Sequence, residues 1–252
     1  MWRGLVAAWV PSFGRTGSKL FDVSGNGYHG TMVGAVEKWV RANNPRNPGY
    51  ALQFDGTTGN YIELNAPQKM QTIPFDGHDF TISSWARLSS LTGDQVILGW
   101  GTSASQYIEH RYDVGNVEWD LDMNAGGAQY ARYTQSDPVV GKWDHVLSLR
   151  EGTAIRIYVN GVLGAITDTV GTIATAAGLT WNIGRLGTYS RYFNGHVQDV
   201  LVYDRALKVR EIHDIHQDPT KMFRVRTSQF KAPAAAPAGG VSYVVGGGIF
   251  VT

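Results

Sequence analysis

Three acidic side chains alternate along residues 118–122, where the sequence is EWDLD. Successive side chains of an extended strand point to opposite faces, so Glu118, Asp120 and Asp122 would share one face. Two carboxyl groups on one face can act as the nucleophile and the acid of glycoside hydrolysis. The Cα atoms of residues 118 and 122 would lie about 13 Å apart, which makes side-chain length critical. We favour the simpler interpretation, a solvated strand face, and keep hydrolysis as an alternative.

Two histidines, His213 and His216, lie three residues apart in a segment with helical periodicity and could share one face of that helix. The sequence lacks the His-Glu-x-x-His arrangement of a helical zinc site. It also contains no cysteine, which excludes disulfides, thiol nucleophiles and thiolate metal ligands. We therefore interpret the two histidines as a solvent-facing pair.

Exposed aromatic rings offer another chemistry, because sugars stack on the flat faces of tryptophan and tyrosine. Residues 189–192 are Tyr-Ser-Arg-Tyr and combine two rings with a guanidinium. Tyr189, Arg191 and Tyr192 are therefore candidate glycan contacts. Four tryptophans in apolar alternation are predicted to belong to the core instead, namely Trp9, Trp85, Trp143 and Trp181.

Strands must position these side chains, and strand periodicity dominates the sequence. Apolar and polar residues alternate at 80–86 and 155–159, and Asn160-Gly161 is a strong hairpin signal. Further strands are predicted at 50–55, 61–64, 96–100, 117–123, 144–150, 179–183 and 196–203. One amphipathic helix is predicted over 206–217, before Pro219, and we expect it to close one end of a sandwich.

The composition favours an all-β fold with many tight turns. The 252 residues include 31 glycines and eight tryptophans, and only 17% are charged. The net charge is only +1, without the excess of basic residues that is typical of nucleic-acid binding, so we expect no nucleic-acid partner. No apolar run approaches the roughly 18 residues of a membrane span, so we expect no membrane partner either.

The predicted domain covers residues 1–222, and residues 223–252 form a C-terminal extended tail of different composition. The tail contains KAPAAAPAGG at 231–240, which is typical of a linker, followed by an apolar, glycine-rich end. We predict that this tail docks on neighbouring subunits by adding a strand. Its predicted contact residues are Phe223, Tyr243, Ile249 and Phe250.

Residues 22–31, DVSGNGYHGT, are dense in turn-forming residues and resemble the D-x-S-G-N-G-x-H-G signature of laminin-G-like, concanavalin A-like jelly-roll domains. Other segments resemble the family in the same order: ALQFDG at 51–56, FTISSW at 80–85, WDHV at 143–146, IYVNG at 157–161 and FNG with VYDRAL at 193–207. The resemblance extends over about residues 4–217. It implies a jelly-roll sandwich of two antiparallel sheets.

Domains of this family often hold a structural calcium ion between the residue 22–31 loop and the end of the last strand. Calcium takes about six to eight oxygen ligands. The resemblance implies Asp22, Asn26 and Asp199 as ligands. Gln198 stands where the family often has an aspartate, so one carboxylate is missing and the site should be weaker. The EWDLD segment likewise resembles the E-x-D-x-E of glucanases that share this sandwich, but its last acid is an aspartate.

Both ends of the matched region resemble bacteriophage-encoded members of the family, through GLVAAWVP at 4–11 and DPTKMFR at 218–224. This resemblance, with the absence of an export signal, implies a non-catalytic virion surface protein assembled in the host cytoplasm. It would be a capsid decoration, head-fibre or tail-associated protein. Expected partners are other virion proteins, further copies of the chain and host-surface glycans. The alternatives are a free carbohydrate-binding lectin and a divergent glycoside hydrolase that uses Glu118 and Asp122.

Overall fold

The structure, a computed structural model, describes residues 3–34, 38–64, 78–103, 106–125, 128–133, 138–164, 168–169, 180–186 and 189–223. The chain divides into two units, Met1–Met222 and Phe223–Thr252. Of the predicted tail contacts, Phe223 ends a short 3-10 helix, Lys221–Phe223. Tyr243, Ile249 and Phe250 lie outside the described residues, so the tail remains a prediction.

Seventeen strands occur among the described residues. In chain order β1 to β17 are Leu5–Trp9, Lys19–Leu20, Gly30–Val33, Trp39–Arg41, Tyr50–Asp55, Tyr61–Leu64, Phe80–Leu88, Gln95–Ser103, Gln106–Asp113, Glu118–Ala125, Ala128–Tyr133, Trp143–Glu151, Ala154–Val159, Val162–Leu163, Asp168–Thr169, Trp181–Ile183 and Asn194–Tyr203. A helix, α1, spans Val209–Gln217, and a 3-10 helix spans Pro11–Phe13.

The strands form two antiparallel sheets. The first has nine strands in the order β14-β13-β12-β7-β17-β5-β4, with β1 paired to β17 and β15 to β13. The second has eight strands in the order β11-β10-β9-β8-β16-β6-β3-β2. This architecture confirms the predicted all-β sandwich with one short late helix.

Alternation decides which side chains the sheets share. Ile82, Ala86 and Leu88 of β7 belong to the common core, whereas Trp85 is buried outside that cluster. A polar contact also links the sheets, because the His110 ring nitrogens lie 2.9 and 2.8 Å from the hydroxyls of Ser84 and Ser148. Burial lowers the pKa of His110 to about 3, so a neutral imidazole joins β9 to β7 and β12.

The helix differs from its prediction in two ways. It begins at Val209 rather than 206, because Lys208 is extended and its backbone N–H donates to the Glu211 carboxylate at 3.0 Å. It also packs on the outward side of the first sheet rather than at an end, since His216 stacks on Trp85 with ring centroids 5.6 Å apart. Within the described residues, no helix has the length and apolar character needed to cross a membrane.

Candidate binding site

An open cavity of about 510 Å³ lies on the outward side of the first sheet. Segments distant in sequence form it: the loop after β4, strand β7, the start of β12, the turn after β13 and the end of α1. The lining side chains that could contact a ligand are Asn43, Arg46, Trp85, Lys142, Trp143 and His216. The cavity therefore combines two indole rings, an imidazole, an amide and two cations.

Trp85 and His216 form an aromatic floor. Their rings are stacked at an interplanar angle of 21°, and the His145 ring lies 5.2 Å from Trp85 and 5.5 Å from His216. Burial, and then the Arg46 charge, lower the pKa of His216 to about 4, so its ring is neutral at pH 7. Trp85 Nε1 and His216 Nδ1 are buried without a hydrogen-bond partner among the described residues. Such atoms are costly unless water or a ligand satisfies them.

Trp143 supplies a half-buried ring at the start of β12. Its Nε1 donates to the Ala42 carbonyl at 3.0 Å, and the Arg87 guanidinium carbon lies 5.5 Å from the ring centroid. These contacts hold the indole in one orientation. A held aromatic ring loses little conformational entropy when a sugar stacks on it.

Strand β17 holds the loop that forms one wall of the cavity. Gln198 Nε2 donates to the Asn47 carbonyl at 2.8 Å, and Gln198 Oε1 accepts from Asn44 Nδ2 at 3.1 Å. Asp199 Oδ2 accepts from Asn47 Nδ2 at 2.7 Å. Asn44 Oδ1 in turn accepts the backbone N–H of Arg46 at 3.1 Å. The loop backbone is thus anchored, and the Arg46 side chain is left exposed.

A second cluster, the acid–arginine network, covers the outward face of the second sheet. Its members are Asp94, Glu109, Arg111, Asp113, Glu118, Asp120, Asp122, Arg132 and Arg191. Arg111 lies at the centre, with Nε 2.8 Å from Asp120 and Nη1 2.9 Å from Asp94. Its guanidinium also lies 3.2 Å from carboxylate oxygens of Glu109 and Asp122.

Glu118, Asp120 and Asp122 do share one face, as alternation predicts, and pair with Asp113, Arg111 and Glu109 of β9. The expectation of a solvated face is wrong, because the three acids are only 3%, 0% and 1% exposed. Burial raises the pKa of Asp122 to about 7 and raises that of Asp120 well above its usual range, although Arg111 opposes both shifts. Burial in the network therefore favours the protonated forms of Asp120 and Asp122.

Comparison with known sequences identifies the fold family. The family model Laminin_G_3, described as the concanavalin A-like lectin/glucanases superfamily, matches residues 55–213, which is more than half of the chain. The chain belongs to this superfamily. A relative with curated annotation, adhesion G-protein coupled receptor V1 of Danio rerio, is 28% identical over 178 residues, which are 68% of this chain and 3% of the receptor. The chain thus spans a small part of that relative.

Solved structures share this concanavalin A-like fold. Domain 4 of AbnA, a GH43 extracellular arabinanase from Geobacillus stearothermophilus in complex with arabinotriose, has a TM-score of 0.67 and 19% identity, covering 84% of this chain and 98% of that one. Trypanosoma rangeli sialidase has a TM-score of 0.57 and 19% identity over 87% of this chain and 33% of its own. The binding domain of Paraclostridial Mosquitocidal Protein 1 has a TM-score of 0.58 and 13% identity, over 84% and 52% respectively. At these identities the likeness shows the fold.

The calcium ligands that the family resemblance implies are occupied by hydrogen bonds. Asp22 accepts the backbone N–H groups of Ala8 at 2.8 Å and Tyr28 at 3.0 Å, one on each oxygen. Asn26 Nδ2 donates to the Val6 carbonyl at 2.8 Å. The two N–H groups that donate to the Asp22 carboxylate stabilise the loop, as in an Asx turn.

The third implied ligand, Asp199, accepts from Ser12 Oγ and from Asn47 Nδ2, both at 2.7 Å. Burial raises its pKa to about 6. In the part of the chain that the structure describes, no three Asp, Glu, His or Cys side chains are grouped to hold a metal ion. With these oxygens engaged, the arrangement of Asp22, Asn26 and Asp199 does not favour calcium, and the response of the melting temperature to calcium tests the predicted ion.

The structure brings together two of the three residues predicted to contact glycans. The Arg191 guanidinium carbon lies 5.0 Å from the Tyr189 ring centroid. Arg191 also forms a close ion pair with Glu109 and lies 3.4 Å from Asp94, so its charge is used inside the acid–arginine network. Tyr192 is half-buried. Glycan contact at these three residues stays a prediction.

Three residues that line the cavity, Trp85, Trp143 and His216, were predicted to have other roles. Trp9 and Trp181 belong to the core as predicted, but Trp85 and Trp143 line the cavity. His216 is buried against Trp85, so the histidine pair does not face solvent together, although His213 is exposed. The sequence did contain a signal for the position of Trp85. Alternation along β7 places Trp85 on the opposite face from the core residues of that strand.

Replacement of Asp22 by alanine tests the role of the loop. Asp22→Ala leaves the buried N–H groups of Ala8 and Tyr28 without their acceptor, so we expect the free energy of unfolding to fall by about 2 kcal/mol. Urea unfolding measures this change, with the exposed acid Glu63→Ala as a control expected to be nearly neutral. The melting temperature of the wild type should be equal in calcium and in EDTA. A rise in calcium that Asp22→Ala abolishes would contradict the absence of a fitting site.

Replacement of Asp122 tests the raised pKa of its carboxyl in the acid–arginine network. A raised pKa means that the folded state holds a proton that the unfolded state has lost, so Asp122 should cost stability as pH rises from about 4 to about 7. Asp122→Asn removes this cost. The change that it causes in the free energy of unfolding should therefore be more stabilising at pH 8 than at pH 5, by on the order of 2 kcal/mol. Asp113→Asn is the control, because hydrogen bonds from Asn116 and Gly115 lower the Asp113 pKa despite burial. Its effect should not change between pH 5 and 8. If Asp122→Asn changes the free energy of unfolding by the same amount at pH 5 and at pH 8, the Asp122 carboxyl of the wild type is already ionised at pH 5.

Proposed function

We propose that this domain is a non-catalytic carbohydrate-binding module and that the cavity on the first sheet is its binding site. The observation that carries the proposal is the held, half-buried Trp143 ring at an open cavity whose floor is the stacked pair of Trp85 and His216. A sugar offers the complement of this surface. Its C–H face stacks on an indole, and its hydroxyls bond to the amide and cationic side chains of the lining.

The size and composition of the cavity support the same ligand class. A volume of about 510 Å³ lies within the roughly 300–1,000 Å³ of small-molecule sites and suits one or two sugar rings. Amide groups of Asn43, Asn44 and Asn160 add further polar atoms to the lining. Two of them are already used, since Asn44 bonds Gln198 and Asn160 Nδ2 donates to Asp144 at 2.8 Å. Asn43, which is exposed, is the amide best placed to reach a ligand.

The structural relatives support this proposal at the level of fold. The arabinanase domain is in complex with arabinotriose, and the mosquitocidal-protein segment is a binding domain. The family itself is described by lectins and glucanases together. We therefore infer carbohydrate binding for this chain from the fold of its relatives, and the geometry of the cavity supports the same inference independently.

The state of the acid–arginine network favours binding without hydrolysis. A retaining or inverting glycosidase needs two carboxyl groups that flank an accessible glycosidic bond. Glu118 and Asp122 are 3% and 1% exposed, and Asp122 is engaged by the Arg111 guanidinium at 3.2 Å. A polysaccharide could reach these acids only if several buried ion pairs separated, which would be costly.

Replacement of Trp143 tests the proposed site. We expect Trp143→Ala to weaken binding of oligosaccharides at least tenfold, about 1.4 kcal/mol, because the stacking surface is lost. Isothermal titration with arabinotriose, galactotriose, lactose and sialyllactose measures the affinities, and the melting temperature checks the fold. Phe13→Ala is the matched control, since Phe13 is 55% exposed and does not line the cavity.

A different outcome would relocate the site. If Tyr192→Ala abolished binding while Trp143→Ala left it unchanged, the glycan would contact Tyr189, Arg191 and Tyr192 instead. If no sugar bound the wild type, carbohydrate binding itself would be excluded for this panel.

We also propose the finer role that the phage resemblance implies. The module would act on a virion surface, assembled in the host cytoplasm, and its tail would dock on other virion proteins or on further copies of the chain. The division of the chain into Met1–Met222 and Phe223–Thr252 supports a separable docking segment. Outward-facing copies of the cavity would then reach host glycans.

Truncation tests the docking role. A chain ending at Phe223 keeps Met222, which is buried with its sulfur 3.7 Å from the Tyr203 hydroxyl, so the sandwich should stay folded. We expect the full chain to form oligomers and the truncated chain to be monomeric in light scattering. Equal masses for the two chains would contradict self-association through the tail.

A further inference from the structure

The charges that line the cavity have one sign. Arg46 and Lys142 both line it, and no aspartate or glutamate is among the described residues of the lining. This imbalance is local, because the whole chain carries a net charge of only +1. A cavity lined by charges of one sign attracts ligands of the opposite sign.

Arg46 is the cation without a carboxylate partner. Its Nη1 donates to the neutral side chain of Gln217 at 3.0 Å, and no carboxylate of the described residues lies within ion-pair distance of it. Its charge also acts on the cavity floor, since it contributes to the lowered pKa of His216. Arg46 is exposed on an anchored loop, so it can meet a ligand without a change of backbone.

Lys142 is the second cation, and a buried acid offsets its charge. Its Nζ lies 3.3 Å from Asp144 Oδ1, while its side chain is 54% exposed. Asp144 is buried and also accepts from Trp119 Nε1 at 3.1 Å and from Asn160. Lys142 therefore keeps donors free for a ligand, and the net positive charge of the lining comes from Arg46.

We propose that the cavity selects an acidic sugar, whose carboxylate or sulfate pairs with Arg46 and Lys142 while its ring stacks on Trp143. This inference rests on the proposed carbohydrate-binding function and adds the charge of the ligand. The planar guanidinium of Arg46 can form two parallel hydrogen bonds to either anion, which a neutral hydroxyl cannot match. Both cations are partly exposed, so the preference falls as salt screens them.

Matched pairs of sugars that differ in charge test the proposal on the full chain. The pairs are trigalacturonate with galactotriose, sialyllactose with lactose, and 6-sulfolactose with lactose. We expect the acidic member of at least one pair to bind at least tenfold more tightly in 50 mM salt, and this advantage to shrink in 500 mM salt. The first two pairs test a carboxylate and the third tests a sulfate, so they identify which anion is preferred.

Variants assign the charge preference to the cavity. Arg46→Gln should remove most of the advantage of the acidic sugar, measured as the ratio of the two affinities within each pair. Lys142→Gln should reduce the advantage by a smaller factor. Arg156→Gln is the control, since Arg156 pairs with Glu151 at 3.0 Å and does not line the cavity. It should leave both affinities unchanged.

The outcomes separate this inference from the function on which it rests. If the neutral sugars bind as tightly as the acidic ones, and Trp143→Ala weakens both, the site binds carbohydrate but does not select charge. If the acidic sugars bind better but Arg46→Gln and Arg156→Gln behave alike, the charge preference lies elsewhere on the molecule. If no sugar of the panel binds, both the function and this inference are overturned.

Discussion

The pairing of β17 is the constraint on which the rest of the molecule depends. This strand pairs with β7 along one side, and on the other side its first half pairs with β5 and its second half with β1. At the point where the partner on that side changes, the pairing with β7 shifts register between Gln198 and Leu201, and Asp199 adopts a positive φ of 50°. That irregularity frees Gln198 and Asp199 from the common core, and both hold the loop that walls the cavity.

The outward faces of the two sheets carry different kinds of side chain, charged on the second sheet and aromatic on the first. Each face carries side chains that the shared core cannot accept. On the second sheet, acids and arginines form ion pairs with one another, and the acids of β10 are buried. Burial of such charges is tolerated only with this degree of pairing. On the first sheet, the helix covers the face with a neutral imidazole, and ring nitrogens are left without partners.

Alternation predicted the fold well wherever one face of a strand is polar and the other apolar. Strands β5 and β6 match their predicted bounds, 50–55 and 61–64. Strand β9 was not predicted, because its outward residues Glu109, Arg111 and Asp113 are charged yet buried in the acid–arginine network, a state that composition does not reveal. The cavity was not predicted because its walls are distant in sequence. Alternation places Trp85 on one face of β7 but does not say whether that face meets the other sheet.

Anchoring of the cavity loop through Asn44 and Asn47 has a consequence for divergence among related domains. The hydrogen bonds that shape the loop use these two amides, whereas Arg46 between them is exposed. Substitutions at position 46 can therefore alter the ligand surface with little disturbance of the scaffold. A fold with this separation can acquire new recognition properties by few mutations, and sequence identity below 20% between domains of the same shape is then compatible with intact folding.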